Sequence, residues 1–315
     1  MCIRIKVVTK KEGAHFLTLL VNNVVKQFGK FTAVNNLSLD VQEGTMFGML
    51  GANGAGKTTT FRMILGLLEP TEGSITWKGK KIDYSASSLI GYLPEERGLF
   101  SKIKTSEQLI YLARLRGMSR ADAIKEAKGW LERFNVPEYY DKKVGDLSKG
   151  NQQKIQFIAS VIHKPELLIL DEPFSGLDPV NVELLKKAVH DLRKNGTTIV
   201  FSSHRMEHVE ELCEQLCILQ HGKAIVKGSL KDIKRSFGKK NVVIHADFNM
   251  DFLKNYPGVI NATEVTEGIH LQIKDEKDAE LILQDTVKQG FIRKFELEEP
   301  SLKDIFIEKV GAHYE

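Results

Sequence analysis

Cysteine is scarce. Cys2, Cys213 and Cys217 are the three in 315 residues, too few for the disulfide framework of a small secreted domain, so a reducing cytosol is the expected compartment. Cys213 and Cys217 stand four apart on a helical pattern, which predicts one half-buried helix face rather than a CxxC metal pair. Long apolar runs are missing as well. Phe16-Leu17-Thr18-Leu19-Leu20-Val21, preceded by Arg4, Lys6, Lys10 and Lys11, is too short to span a bilayer and is followed by no small-residue cleavage site. Residues 1–15 therefore read as a loose basic stretch within an N-terminal tail of residues 1–18, and any membrane association is expected to be peripheral. The net charge of +4 is mild: it sets no expectation of nucleic acid, and it does not oppose contact with an anionic membrane face. At 315 residues the chain is long enough for a large core, and two domains are expected rather than one.

The chain is organised around Gly51-Ala52-Asn53-Gly54-Ala55-Gly56-Lys57-Thr58-Thr59. Met46 to Leu50 before it reads as a buried strand, and a helical pattern follows from Thr60 to about Leu67. Gly51, four residues, then Gly56-Lys57-Thr58 is the spacing of a phosphate loop. Glycines let backbone N–H groups converge on phosphate oxygens where a Cβ would clash. Lys57 reaches the outer phosphates, the Thr58 hydroxyl holds Mg²⁺, and the first helical turn adds the positive end of its dipole. The expected ligand is a magnesium nucleoside triphosphate. A flexible glycine loop is the bland alternative, and the strand and helix on either side weigh against it.

Short strands are expected over Leu19–Val25 and Ala33–Val41 about a Gly29-Lys30 turn, with Phe28 placed either to stack on a nucleobase or to make an ordinary apolar contact. Gly73 to Lys81 reads as a hairpin, and Leu89 to Pro94 as a strand ended by proline. Helical patterns dominate from about 104 to 164 and close on Leu147-Ser148-Lys149-Gly150-Asn151, a polar loop opening a helix from Gln152 to Val161. Ser148 and Gly150 are there either as a plain N-cap or as a second anion site. Glu166 to Leu170 is an apolar strand ending in Asp171-Glu172-Pro173. Beside a phosphate loop, the first carboxylate can hold the Mg²⁺ shell and the second can orient or deprotonate the attacking water. Ser175-Gly176-Leu177-Asp178-Pro179 then starts a helix to about Lys194, and Thr197 to Phe201 is a β-branched strand ending at Ser202-Ser203-His204. His204-Arg205-Met206-Glu207-His208 also matches the H-x-x-E-H pattern of some zinc peptidases, with both imidazoles on one helix face. The preferred reading puts His204 at a strand end near the outer phosphate.

In order and spacing, residues 19 to 235 resemble the ATP-binding subunit of an ABC transporter. The resemblance implies an α/β P-loop NTPase fold with a helical subdomain at about 104–164. It implies that Gly51 to Thr59 bind ATP, that Lys57, Glu172 and His204 are catalytic, and that Phe28 stacks on the adenine. Thr58, Asp171 and Glu95 would hold Mg²⁺. Ser148, Gly150 and Asn151 of the family signature, with Asp178 of the following loop, would complete the triphosphate site of a second chain packed head to tail. Two positions depart from the family pattern. Lys149 and Asn151 replace a glycine and a glutamine of the signature, and Glu95 stands where a glutamine is usual. A carboxylate at 95 can still ligate Mg²⁺ or orient water, with one more negative charge.

Residues 240–315 read as a small α+β domain, with strands at Asn241–Phe248, Ile269–Ile273 and Phe291–Leu297 and a final helix capped near Ser301. This part, with Leu93-Pro94-Glu95-Glu96-Arg97-Gly98-Leu99, resembles the accessory domain and branch of bacterial ABC ATPases of the sodium-export and drug-export type. The implied complex joins a second copy, or a related ATPase subunit, to integral membrane permease subunits at the cytoplasmic face. A soluble ABC ATPase acting on ribosomes or DNA is the alternative.

Overall fold

The computed structural model describes residues 18–82, 86, 88–96 and 98–311. Residues 1–17 of the expected tail, Cys2 among them, and Arg97 lie outside the described residues, while Thr18 already belongs to a strand.

β1 (Thr18–Phe28) and β2 (Phe31–Gln42) form an antiparallel hairpin with Phe28 opposite Phe31. The chain then crosses into β3 (Met46–Leu50), buried at every residue, and through the glycine loop into α1 (Lys57–Ile64). α1 stops three residues before Leu67 because Gly66, at φ 68°, takes the left-handed turn that closes a helix. β4 (Glu72–Trp77) returns to pair with β1, and β5 (Lys80–Lys81) completes a sheet of order β2-β1-β4-β5. β6 (Ile90–Leu93) enters a second sheet. The helical block follows as α2 (Thr105–Leu115), α3 (Arg120–Arg133) and α4 (Lys149–Val161). Trp130 of α3 and Phe134, which caps its C-terminus, pack on Phe157 of α4, with ring centroids 5.7–6.0 Å apart.

β7 (Leu167–Leu170), α5 (Pro179–Lys194), β8 (Thr198–Ser203), α6 (Met206–Leu212), β9 (Gln215–Gln220) and β10 (Lys223–Ser229) finish the second sheet, of order β10-β9-β3-β8-β7-β6. Its pairs β9/β3, β3/β8, β8/β7 and β7/β6 are all parallel. Strands of such a sheet are covered on both faces, which explains the unbroken apolar runs of β3 and β7. Register places Leu50 beside Ser203, and Leu170 beside both Phe201 and Leu93. The glycine loop, Asp171-Glu172, His204 and Glu95 therefore all leave the sheet at its carboxyl edge, where ligands of parallel α/β sheets bind. Leu19, Val21 and Leu39 of the first sheet share one buried cluster with Phe61 of α1 and Met49, Ile169 and Val200 of the second.

One expectation needs correction. Cys213 and Cys217 are both buried, as packing residues should be, but they do not share a helix face. α6 ends at Leu212, Cys213 caps it in an extended conformation, and Cys217 lies in β9. A short apolar run has no period that separates a buried strand from a buried helix.

The chain divides into two compact units, one ending at Val226 and one beginning at Lys227. The second holds α7 (Leu230–Phe237), β11 (Lys240–Ala246), β12 (Val259–Val265), β13 (Gly268–Ile273), α8 (Glu276–Gln289), β14 (Ile292–Glu298) and α9 (Leu302–Val310). Its antiparallel sheet has the order β12-β13-β11-β14, and Val242, Ile244, Leu271 and Ile273 form a core with Ala279 and Ile282 of α8. Ser301 and Asp304 make a reciprocal capping box at the start of α9. Among the described residues no helix is long and apolar enough to cross a membrane.

Candidate nucleotide site

The loop between β3 and α1 is held from behind by backbone. A Cβ at Gly51 would lie 2.6 Å from the Leu219 carbonyl oxygen, and one at Gly56, where φ is 105°, would lie 2.7 Å from that of Ala33. Glycine is required at both ends of the loop. Between them Asn53 and Gly54 are exposed, Ala52 is half-buried and Ala55 is buried. Lys57 is 6% exposed, and its ammonium donates to the carbonyl oxygens of Gly51 at 2.6 Å and Ala52 at 3.1 Å. Burial holds its pKa below the ordinary value, while the carboxylates of Glu172, Asp171 and Glu95 pull it back up.

Asp171 is fully buried at the end of β7, and its backbone N–H extends the ladder to Leu93 O at 2.8 Å. One carboxylate oxygen accepts from the Thr58 hydroxyl at 2.8 Å, the other from the Ser202 hydroxyl at 2.5 Å. Ser202 also accepts from the Glu172 backbone N–H at 3.0 Å, so one serine on β8 fixes both carboxylate residues. Sequence reasoning missed it. Its only signal is the register, which puts Ser202 one step beyond the last β7/β8 pair, Leu170 and Phe201.

Glu172 adopts φ 50°, a left-handed conformation that a non-glycine residue keeps only when its surroundings hold it there. Its side chain is buried, with Oε2 2.9 Å from His204 Nδ1. Oε1 is 3.9 Å from the Lys57 ammonium and accepts no hydrogen bond from the described residues. Burial raises the Glu172 pKa, opposed by His204 and Lys57. A buried carboxylate with one free oxygen and a raised pKa is suited to taking a proton from water. His204 is 55% exposed at its side chain and can hold the other oxygen while facing solvent.

Glu95 is exposed in the loop after β6, and its charge is felt by Lys57 and by Tyr92, whose hydroxyl pKa is pushed up to about 12 chiefly by burial. Thr59 is half-buried on α1. The structure thus groups Thr58, Asp171, Glu172 and His204 by hydrogen bonds, some of them through Ser202, Lys57 by its ion pair with Glu172, and Glu95 by charge.

The remaining predicted residues stand apart, and no hydrogen bond or ion pair among the described residues ties them to that group. Phe28 is 49% exposed, with the Lys26 ammonium 5.2 Å from its ring centre. Ser148 caps α4 by accepting from Asn151 N–H at 3.4 Å, Gly150 lies in the first turn, and the Asn151 amide donates to the Tyr139 hydroxyl at 2.8 Å. Asp178 caps α5 by accepting from Asn181 N–H at 3.0 Å, and hydrogen bonds from Asn181 lower its pKa.

The zinc-peptidase alternative fails on geometry. α6 begins at Met206, so His204 precedes the helix, and His208 is buried with its ring centroid 4.5 Å from that of Phe174. Among the described residues no three His, Cys, Asp or Glu side chains are grouped to hold a metal.

Comparison with known proteins agrees with this geometry. The profile described as ABC transporter matches residues 34–175, and that of the DrrA1-3-like ATP-binding protein C-terminal domain matches residues 228–310. A further profile, an AAA domain described as a putative AbiEii toxin of a type IV toxin–antitoxin system, matches residues 143–209. The chain is 64% identical to the ABC transporter ATP-binding protein YhaQ of Bacillus subtilis over 297 residues, covering 94% of this chain and all of YhaQ. It is 31% identical to the linearmycin resistance ATP-binding protein LnrL of Bacillus subtilis, covering 93% of this chain and 98% of LnrL. A solved structure described as the ATP-binding subunit of an ABC transporter superposes with a TM-score of 0.66 at 30% identity, covering 70% of this chain and 93% of that one. With the phosphate loop, the paired carboxylates and the strand-end histidine at one sheet edge, and relatives matching over nearly its whole length, the chain belongs to the ATPase family of ABC transporter ATP-binding subunits.

Proposed function

We propose that this chain binds ATP with Mg²⁺ between two copies in head-to-tail contact, hydrolyses it with Glu172 as general base, and drives a separate membrane permease from the cytoplasmic face. The observation that carries the reading is the Glu172 carboxylate: buried, fixed by His204 on one oxygen, and, among the described residues, without a hydrogen bond on the other, 3.9 Å from Lys57. Thr58 and Asp171 supply only oxygen donors, the set that suits Mg²⁺, and Glu95 is a further oxygen donor on the neighbouring loop. Bound there, the ion would neutralise charge on the outer phosphates. Lys57 grips those phosphates, Glu172 takes the proton of the attacking water, and His204 holds the carboxylate in place. Phe28 offers an exposed ring for the adenine, and Ser148 and Gly150 open a helix whose N-terminus suits phosphate from the partner copy. Export is the favoured direction, on the strength of the name of LnrL and the DrrA-like second unit. A soluble ABC ATPase acting on ribosomes or DNA finds no support among these relatives.

Glu172→Gln tests the assignment. The amide keeps the side chain's size but cannot accept the proton, so ATP turnover should fall by about 10²–10⁴-fold while ATP remains bound. Undiminished turnover would remove Glu172 from the role.

A further inference from the structure

Gln156 lies on α4 two turns beyond Ser148 and is 4% exposed. Its side-chain amide donates to the carbonyl oxygens of Pro94 at 3.3 Å and Glu96 at 3.0 Å. These two carbonyls bracket Glu95. Both partners are acceptors only, so the NH₂ end of the amide must face the loop. The other end, Oε1, is buried and accepts no hydrogen bond from the described residues. An orphaned buried oxygen is unfavourable, and methionine or leucine would fill the same space without it. Packing therefore does not account for glutamine here; the paired donation to the Glu95 loop does.

The rest of α4 follows the same strand. His163, just past the helix, approaches Ile90 O through Nε2 at 3.2 Å. A Cβ on Gly91 would lie 2.2 Å from Ser160 O, so backbone meets backbone with no side chain between. The chain from Gln156 to His163 thus meets the chain from Ile90 to Glu96 at three levels, and Gln156 is the one that reaches past the strand into the loop.

We propose that Gln156 is a positioning residue that ties the helix capped by Ser148 to the Glu95 loop, so that the place of Glu95 at the nucleotide site is set by the place of α4. This rests on the proposed role of Glu95 at that site. A shift of Ser148 toward a partner's triphosphate would then be transmitted to the opposite side of this chain's own site through a single buried amide.

The test is a double-mutant cycle in the full chain with Glu95→Ala, Gln156→Met and the pair, and Gln156→Glu as a second, isosteric variant that sets a carboxylate against the two carbonyl oxygens. ATP turnover, KM, nucleotide affinity by titration and the thermal midpoint are measured for each. Gln156→Met should keep its midpoint and its nucleotide affinity within about twofold while kcat falls roughly tenfold, the scale of outer-shell partners elsewhere. Gln156→Glu should fall at least as far. Glu95→Ala should also lower kcat, and adding Gln156→Met to it should lower kcat no further. Wild-type kcat in Gln156→Met overturns the inference. So do full, multiplying losses in the pair, which leave the role of Glu95 intact and place Gln156 outside it. Wild-type kcat in Glu95→Ala removes the role of Glu95 and the inference with it.

Discussion

Ser202→Ala is the substitution whose effect the structure fixes most closely. The hydroxyl is fully buried, donates to Asp171 at 2.5 Å and accepts from the Glu172 backbone at 3.0 Å. Its removal orphans a buried N–H, at about 1–3 kcal/mol, and takes one of two side-chain donors from a buried carboxylate, at about 1.5–3 kcal/mol. Allowing for relaxation, a loss of roughly 3 kcal/mol is expected, or about 6–12 °C in the thermal midpoint of a unit this size. Function should suffer separately. Asp171 would keep only the Thr58 hydroxyl among its side-chain donors, and the left-handed turn at Glu172 would lose its tether. Substitutions of such supporting partners lower metal affinity or activity about 10–100-fold. The assay is thermal unfolding together with ATP turnover across a Mg²⁺ titration, with Ser203→Ala as the control. Ser203 is equally buried but, among the described residues, its hydroxyl accepts only from the Arg205 N–H at 3.0 Å, so its loss should lower the midpoint by a smaller amount and leave the Mg²⁺ dependence unchanged. A Ser202→Ala chain that unfolds earlier but hydrolyses ATP with wild-type kcat and Mg²⁺ dependence would refute the argument that this hydroxyl aligns the two carboxylates.

Other outcomes follow from single sites. Burial lowers the pKa of His163 to about 4, so the folded state refuses a proton that the unfolded state takes near 6.5. Its contribution is whole above pH 6.5 and is lost as pH falls, by roughly 2 kcal/mol between pH 7.5 and 5, and His163→Gln should flatten that part of a urea-midpoint profile. An unchanged profile would assign the acid sensitivity elsewhere. Phe28→Ala removes an exposed ring at the β1/β2 turn and should weaken ATP binding about tenfold, in line with about 1–3 kcal/mol for stacking of a base on an aromatic ring, with little change in the thermal midpoint. Equal affinity for ATP and inorganic triphosphate in the unaltered chain would argue against stacking.

The glycine loop and its flanking elements were legible in the sequence because each residue type there answers a backbone demand, as the Leu219 and Ala33 carbonyls behind Gly51 and Gly56 make plain. Asp171-Glu172 was legible for a related reason: two carboxylates at the end of a wholly apolar strand have few structural uses. Spacing misled where a local pattern crossed an element boundary. Cys213 and Cys217, and likewise His204 and His208, stand four apart, yet α6 ends before the first pair and begins after His204. In the second unit, β12 escaped notice because Asn261, Thr263 and Glu264 are polar and exposed, so its alternation is weak. Ser202 and Gln156 could not be read from sequence at all. Each acts through a partner about 30 and about 60 residues away in the chain. Only the parallel register and the packing of α4 along β6 bring them together.

On the proposed function, ATP held on the glycine loop of one copy is closed over by Ser148 of another. Light scattering on the Glu172→Gln chain, with and without Mg²⁺ and ATP, measures it most directly. The mass should double with ATP but not with ADP, and should stay that of a single copy for Glu172→Gln carrying Ser148→Arg, which should still bind ATP through Lys57. One mass throughout, or a doubled mass indifferent to nucleotide and to Ser148, would contradict it.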